Sequence, residues 1–181
     1  MKSTRHLEDD HKLILRSLGI LDEMTGRVEE GQTLHSSDAE EVVLFLKGFA
    51  DRFHQGKEEG VLFPALLRNR SQKHDADLTA AVFEHDRHRS LMEGLEESIR
   101  TRNSSEFVYF ARRLSRVLRD HVKEEEQNLF EIVNRTLTPS EDEAVKVDME
   151  QYELLWQNKN LPELLQMLMN LESRYIPRPA A

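Results

Sequence analysis

The sequence predicts an all-α protein in which an up-down-up-down four-helix bundle is followed by two additional C-terminal helices. Apolar residues recur at three- and four-residue spacing, as on the buried stripe of an amphipathic helix. Glycine (7) and proline (5) are few among the 181 residues, which also favours helices. Four long helices with short connections are typical of a bundle.

The first two helices are predicted over about residues 4–30 and 36–63. Ser3 or Thr4 can cap the first helix, and Pro64 should kink the second or end it. Each helix has one inward stripe that includes a histidine. The stripes are Leu7, His11, Ile14, Leu18 and Leu21 in the first helix, and Val43, Leu46, Ala50, His54, Glu58 and Val61 in the second.

The third and fourth helices are predicted over about residues 74–101 and 105–135, with a break at Asn103 and Ser104. Both again have a single inward stripe with histidine on it. The stripes are Leu78, Ala81, His85, His88, Met92, Leu95 and Ile99 in the third helix, and Phe110, Leu114, Val117, Leu118, His121, Glu125, Leu129 and Ile132 in the fourth.

Two further helices follow the bundle. The run from Thr138 to Glu141 is a capping box with proline at the first helical position, and it begins a helix that extends to about residue 158. The last helix covers about 161–175 and ends before Pro177. We therefore divide the chain into a bundle of residues 1–136 and a C-terminal helical extension of residues 137–181 that packs on it.

Composition excludes several classes of function. The net charge of −9 argues against nucleic acid or an anionic membrane as a partner. The chain has no cysteine, which excludes disulfides, thiolate metal sites and cysteine nucleophiles. Any bound metal must therefore use nitrogen and oxygen ligands. No segment approaches the roughly 20 apolar residues of a membrane span, so we expect a cytoplasmic protein.

Two His-x-x-x-Glu motifs are the strongest functional signal. Residues four apart share one face of a helix, so His54 lies beside Glu58 and His121 beside Glu125. The spacing alone is weak evidence, but both motifs fall on apolar stripes, where unpaired polar groups cost several kcal/mol. Metal coordination would satisfy these groups. The six candidate ligands are His11, His54, Glu58, His85, His121 and Glu125.

Six such ligands suit two divalent ions, each taking two histidine nitrogens and one oxygen from each of two bridging glutamates. With a bridging hydroxide, one position stays open for a small diatomic or peroxide ligand. The ligand types suit iron or manganese, and zinc competes well for such sites. A non-enzymatic iron-binding or regulatory module is the alternative, followed by a metal-free adaptor that binds an unknown protein partner.

The residues around the candidate ligands include one histidine with several possible roles and three carboxylates. His88 could be an additional nitrogen ligand, a hydrogen-bonding neighbour of a ligand, or a histidine at the edge of the core. Glu59, Glu124 and Glu126 lie off the histidine stripes. We therefore expect these three carboxylates to face solvent.

The order of these motifs resembles the hemerythrin-like (HHE cation-binding) domain over about residues 5–135. The motifs are Leu7-Glu-Asp-Asp-His11, His54-Gln-Gly-Lys-Glu58-Glu59, Glu84-His85-Asp-Arg-His88 and His121-Val-Lys-Glu-Glu125-Glu126. The resemblance implies a four-helix bundle holding two iron ions, bridged by an oxo or hydroxo group and by carboxylates. It also assigns the iron ligands to the six candidates above.

The sequence departs from the oxygen-carrying hemerythrins, which typically have His-x-x-x-His on the third helix and His-x-x-x-x-Asp on the fourth. Here His85 and His88 are three apart, and residue 126 is glutamate. The pattern is closer to hemerythrin-like proteins linked to iron–sulfur repair and to nitrosative or oxidative stress. Those repair proteins usually carry a cysteine-containing N-terminal domain that is missing here. The departures argue against reversible O₂ carriage and against iron–sulfur repair.

Overall fold

The computed structural model describes residues 1–68, 75–157 and 159–176. Within these ranges the backbone forms six helices and no strand, so the prediction of an all-α protein is confirmed. None of the helices in the described residues has the length and apolar character needed to cross a membrane. The segments are α1 (Ser3–Glu29), α2 (Ser36–Phe45), π1 (Leu46–Gln55), π2 (Glu58–Leu62), α3 (Phe63–Arg68), α4 (Asp75–Arg100), α5 (Ser104–Glu124), π3 (Glu125–Leu129), α6 (Phe130–Thr136), α7 (Pro139–Gln157) and α8 (Leu161–Tyr175).

Several segments join without a break. The backbone stays helical from α2 through α3 and again from α5 through α6, so the eleven segments make six helices at nearly the predicted places. The predicted end of the fifth helix at residue 158 and the stop at Pro177 lie outside the described residues. We call the two continuous rods helix 2 (residues 36–68) and helix 4 (residues 104–136).

Both rods contain π-helical turns, which the sequence analysis did not predict. The segment π2 begins at Glu58 and π3 begins at Glu125, and each covers five residues. Phe63 N–H then donates to the Glu58 carbonyl, and Phe130 N–H to the Glu125 carbonyl, five residues back. Such turns inside α-helices frequently mark functional sites. Here π2 and π3 each begin at a candidate metal ligand, and π1 begins at Leu46 and contains His54.

Proline in helix 2 does not end the helix. Pro64 is the second residue after π2, and the helix continues to Arg68. A proline lacks the N–H that would bond to the carbonyl four residues back. Because the π turn has already left the i→i−4 pattern at this point, proline costs less here than in a regular α-helix. Of the two predicted outcomes, an end near Phe63 is wrong, whereas a kink there stays a prediction.

The start of α1 is capped from α7 rather than by its own side chains. The N–H groups of Lys2 and Ser3 donate to Asp142 at 2.9 and 3.1 Å, and the Ser3 hydroxyl donates to it at 2.6 Å. A carboxylate at a helix N-terminus is favoured by the helix dipole. The predicted cap by Ser3 or Thr4 is therefore wrong. The capping box of α7 is confirmed, since Thr138 N–H donates to Glu141 at 2.8 Å.

The helices form a bundle in which α1 packs on α5, α5 on α4, and both α1 and α4 on helix 2. The helix α7 packs against α1 and π2, and α8 against α1 and α2. Two buried apolar clusters fill the interior, one including Ile14 and Leu118 and the other including Leu7 and Leu129. The predicted ligands on α1 and helix 4 lie between these clusters along the chain. A polar layer thus crosses an otherwise apolar core.

Candidate metal centre

The structure brings all six predicted ligands together. They form two groups, each of which could hold a metal ion, and within each group the ligand atoms lie within 4.8 Å of one another. All six residues are buried, and the two glutamates belong to both groups. The first group is His11, His54, Glu58 and Glu125, and the second is Glu58, His85, His121 and Glu125.

Each glutamate directs one oxygen toward each group. Glu58 Oε1 lies 3.7 Å from His54 Nε2, and Glu58 Oε2 lies 3.4 Å from His85 Nε2. Glu125 Oε2 lies 3.1 Å from His11 Nε2, and Glu125 Oε1 lies 3.1 Å from His121 Nε2. A carboxylate with its oxygens divided in this way is suited to bridge two cations.

The outer nitrogen of each imidazole is held by a further carboxylate. The four contacts are His11 Nδ1 to Glu126 at 2.9 Å, His54 Nδ1 to Asp10 at 3.2 Å, His85 Nδ1 to Glu59 at 2.6 Å and His121 Nδ1 to Glu84 at 2.8 Å. An ionised carboxylate only accepts hydrogen bonds, so each Nδ1 donates. In the neutral imidazole each Nε2 would then carry a lone pair directed inward, the usual arrangement around a metal-bound histidine.

These outer carboxylates connect the four helices in a ring. Asp10 of α1 holds a histidine of helix 2, and Glu59 of helix 2 holds one of α4. Glu84 of α4 holds one of helix 4, and Glu126 of helix 4 holds one of α1. Each helix therefore orients a ligand on the next helix, and the ring closes on itself.

Sequence reasoning missed this ring. Glu126 is 44% exposed, as expected, and Glu59 is half-buried at 32%, but both also bond to a histidine, which was not predicted. Asp10 and Glu84 were assigned no role. The signal in the sequence is adjacency, since each of the four carboxylates lies directly beside a predicted ligand. The exposed Glu124 has no such contact with a histidine in the described residues.

The buried polar atoms at the centre indicate that the residues present fit a metal. Within the described part of the chain, six buried ligand atoms at the centre lack a hydrogen bond: His54 Nε2, both Glu58 oxygens, His85 Nε2, His121 Nε2 and Glu125 Oε1. A buried polar atom without a partner costs about 1–3 kcal/mol. Because these atoms converge and are all typical metal donors, coordinated cations would remove the cost.

The family model described as Hemerythrin HHE cation binding domain matches residues 2–133. The chain belongs to this family. No curated protein and no solved structure matches the chain. The hemerythrin HHE match covers all six predicted ligands and ends inside α6, so α7 and α8 lie beyond it. The family is one of cation-binding domains, and the two groups of side chains could hold a metal.

Electrostatics within this hemerythrin-like centre favour charged groups when no cation is bound. Burial opposes the charge of His121, but the facing Glu125 carboxylate outweighs it and raises the pKa of His121 well above its ordinary value of 6.5. The same balance of burial and carboxylate contact raises the pKa of His11 and His85. Burial opposes ionisation of Glu125, yet the charge of His121 holds its pKa well below the ordinary value. A cation that bound to these imidazole nitrogens would therefore displace their protons.

His88 lies beside the centre but outside both groups. It is 1% exposed, its ring centroid lies 4.8 Å from that of His121, and its Nδ1 is 3.0 Å from the Gln55 side-chain amide nitrogen. Burial, with the positive charges of His121 and His85, lowers the pKa of His88 to about 2. The ring is therefore neutral at physiological pH. Its role as an additional ligand stays a prediction.

A cleft of about 740 Å³ reaches the centre between α4 and helix 4. His88, His121 and Glu125 are among its lining residues, so it ends at the second group of candidate ligands. Its other lining side chains mix apolar and charged types, with more acids than bases. The acidic ones besides Glu125 are Asp77, Glu84, Asp120, Glu124 and Glu131.

Proposed function

We propose that this hemerythrin-like chain is a non-haem di-iron protein that binds or reacts with O₂, NO or peroxide. Its role is sensing, storage or defence against oxidative or nitrosative stress. The observation that carries the proposal is the convergence of inward-facing imidazole nitrogens and divided carboxylates, most of them without hydrogen-bond partners. Nitrogen and carboxylate donors without sulfur suit iron, with manganese or zinc as substitutes.

In this proposal the six predicted ligands are divided between two iron positions. His11 and His54 would hold one iron, His85 and His121 would hold the other, and the two glutamates would contribute to both. Bound iron, with an oxo or hydroxo group, would supply the redox chemistry toward O₂, NO or peroxide. The outer carboxylates keep each imidazole in the tautomer that binds metal.

We also propose the architecture that positions these ligands: an up-down-up-down four-helix bundle over residues 1–136 with an extension over 137–181. The closed set of contacts among α1, helix 2, α4 and helix 4 supports it. Every candidate ligand comes from these four helices, as in bundle proteins whose metal sites are built from facing helices. The extension contributes none of the six.

The cleft between α4 and helix 4 gives a small ligand a route to the His85 and His121 position. His121 and Glu125 line its inner end, and Ala81 lines its wall. Replacing Ala81 by Phe should narrow the cleft and slow the reaction of the iron-loaded protein with azide several-fold, without changing the final spectrum. Ala144→Phe, at an exposed position on α7, is the matched control.

The proposal is tested by exposing the iron-loaded protein separately to O₂, NO, H₂O₂ and azide while recording its visible spectrum. We expect a response to at least one of these molecules. Repeated consumption of NO or peroxide at each centre would identify an enzyme, whereas a single stoichiometric change would identify a sensor or a store. An iron-loaded spectrum that responds to none of the four molecules would remove the proposed reactivity.

A further inference from the structure

Lys57 is a fully buried lysine close to the candidate metal centre. It is 0% exposed, and its Nζ lies 2.7 Å from Asp10 Oδ2 and 2.6 Å from Glu153 Oε1. The ammonium also lies 4.4 Å from the centroid of the Phe53 ring. A buried ammonium is costly unless its charge is compensated. The two carboxylates therefore explain how this charge is tolerated beside a site built for cations.

Asp10 connects this lysine to a candidate ligand. The same oxygen that pairs with Lys57, Asp10 Oδ2, accepts the hydrogen bond from His54 Nδ1 at 3.2 Å. This is the longest of the four outer carboxylate contacts, and the shared oxygen gives a physical reason for the length. The connection runs from Glu153 through Lys57 and Asp10 to His54.

Glu153 belongs to α7, which lies beyond the part of the chain that matches the family. A second contact fastens α7 to the same stretch of helix 2, since the Tyr152 hydroxyl donates to the Arg52 carbonyl at 2.7 Å. The approach depends on Gly56, where a Cβ atom would lie 2.3 Å from the Tyr152 hydroxyl oxygen. Arg52 lies in π1, the segment that also carries His54. The helix α7 thus contacts the backbone and the charge network behind this ligand.

We propose that α7 influences cation binding at the metal centre. In this proposal Glu153 is a positioning residue that balances the charge of Lys57 and thereby sets cation affinity at the His11 and His54 position. The inference rests on the proposed cation binding and adds a dependence on the C-terminal extension. With Glu153 present, the positive charge of Lys57 is balanced, and Asp10 stays available to orient His54. Without it, Asp10 alone compensates Lys57 while its same oxygen also accepts from His54.

Charge balance gives the variants opposite effects. Glu153→Gln leaves Lys57 undercompensated, so one of the two cations should bind about tenfold more weakly, within the range seen for groups that orient metal ligands. Lys57→Met removes the positive charge but keeps a similar stem, so the same cation should bind more tightly. The double variant restores the balance and should bind nearly as the unchanged chain does. A purely structural ion pair predicts no such reversal of sign.

The experiment is an anaerobic titration of the full chain with Co²⁺, followed by its visible absorption and by competition with a chelator. Glu143→Gln is the matched control, because it removes the same charge from α7 at an exposed pair with Lys2. Weaker binding in Glu153→Gln, tighter binding in Lys57→Met and recovery in the double variant support the inference. Urea unfolding of each cation-free variant separates lost stability from lost affinity.

The outcomes separate this inference from the proposed function. If the unchanged chain binds two cations and Glu153→Gln binds both with unaltered affinity, the role of α7 is wrong while the metal centre stands. If the unchanged chain binds no cation, both are wrong. Should Glu153→Gln not fold, Lys57→Met decides alone: tighter binding supports the inference, and equal or weaker binding overturns it.

Discussion

The centre has two halves built from corresponding parts, one around His11 and His54 and the other around His85 and His121. The runs His54-x-x-x-Glu58-Glu59-x-x-Leu-Phe63 and His121-x-x-x-Glu125-Glu126-x-x-Leu-Phe130 repeat the same residue types in the same order. In both runs a π turn begins at the first glutamate. Phe130 stacks on His11 at 5.7 Å between ring centroids, and Phe63 stacks on His85 at 6.1 Å.

The halves differ in the residues that surround the ligands. Three residues after His11 is the buried Ile14, whereas three residues after His85 is His88. Three residues after His54 is the buried Lys57 beneath α7, whereas three residues after His121 is the exposed Glu124 at the cleft. The repeated parts include the candidate ligands. The parts that differ place a buried lysine on one side and a cleft on the other.

The largest effect should come from the glutamates that belong to both halves. Glu58→Ala removes two oxygens that face two different groups, so we expect the loss of both cations, measured as metal per chain. The stability coupled to binding should be lost with them, about 4 kcal/mol at a free cation concentration about 1,000 times Kd. Glu124→Ala, at an exposed glutamate near the centre, should keep both cations. Retention of one tightly bound cation by Glu58→Ala would show that this glutamate is not shared.

Single histidine substitutions should separate the halves. His54→Ala removes a ligand from the first group only, and His121→Ala removes one from the second only. Each variant should therefore hold one cation per chain instead of two, as metal analysis can establish. Reaction with azide should be lost preferentially in His121→Ala, because the cleft reaches that position. Loss of both cations from either variant would contradict the claim that the two halves bind cations independently.

The outer carboxylates offer a matched pair with a smaller effect. Glu84→Gln and Glu126→Gln each remove the acceptor of one histidine Nδ1, and both carboxylates are 44% exposed. Each substitution should lower the affinity for one cation by about tenfold. This is the lower end of the range for such groups, because water can replace part of the contact. Titration with Co²⁺ and a competing chelator measures the change. Unaltered Co²⁺ affinity in both variants would show that these outer carboxylates act only as surface ion pairs and do not support the metal ligands.

A change of pH should alter the stability of the cation-free protein and of the cation-loaded protein in opposite directions. Without cations, the raised pKa values of His11, His85 and His121 stabilise the fold fully below about pH 6.5, and this contribution is lost as pH rises through them. The lowered pKa of Glu125 stabilises the fold above about pH 4.5, and that contribution is lost as pH falls through it.

Binding competes with the imidazole protons, so affinity should rise by about tenfold per pH unit for each proton displaced. The chelated protein should therefore melt at a lower temperature near pH 8 than near pH 6, while the loaded protein changes in the reverse sense. Calorimetry of both forms at the two pH values measures this. Equal slopes for the two forms would contradict proton displacement.

The comparison of the halves also shows what could be predicted from the sequence. Periodicity placed the helices and put His11, His54, His85 and His121 inward, because a buried stripe recurs at the helical period. The outer carboxylates were missed because each lies one residue off the stripe and reaches a neighbouring helix, which periodicity within one helix does not describe. Their repeated adjacency to ligands was the usable signal.

Lys57 and the π turns mark the limit of that reasoning. A lysine beside a ligand stripe is ordinarily solvent-exposed, and this one is buried only because α7 folds over it with a second carboxylate. The π turns replace the i→i−4 hydrogen bond by an i→i−5 bond, which the three- and four-residue recurrence of apolar residues does not reveal. Both features depend on packing between helices that are distant in the sequence.

The central claim is that two cations occupy the two halves. The most direct test is metal content per chain, together with the melting temperature before and after chelation, on protein purified aerobically from iron-supplemented cells. We predict two irons per chain, near-ultraviolet oxo-to-iron charge-transfer bands and a clear fall in melting temperature on chelation. No bound metal, with a melting temperature that chelation leaves unchanged, would contradict the account.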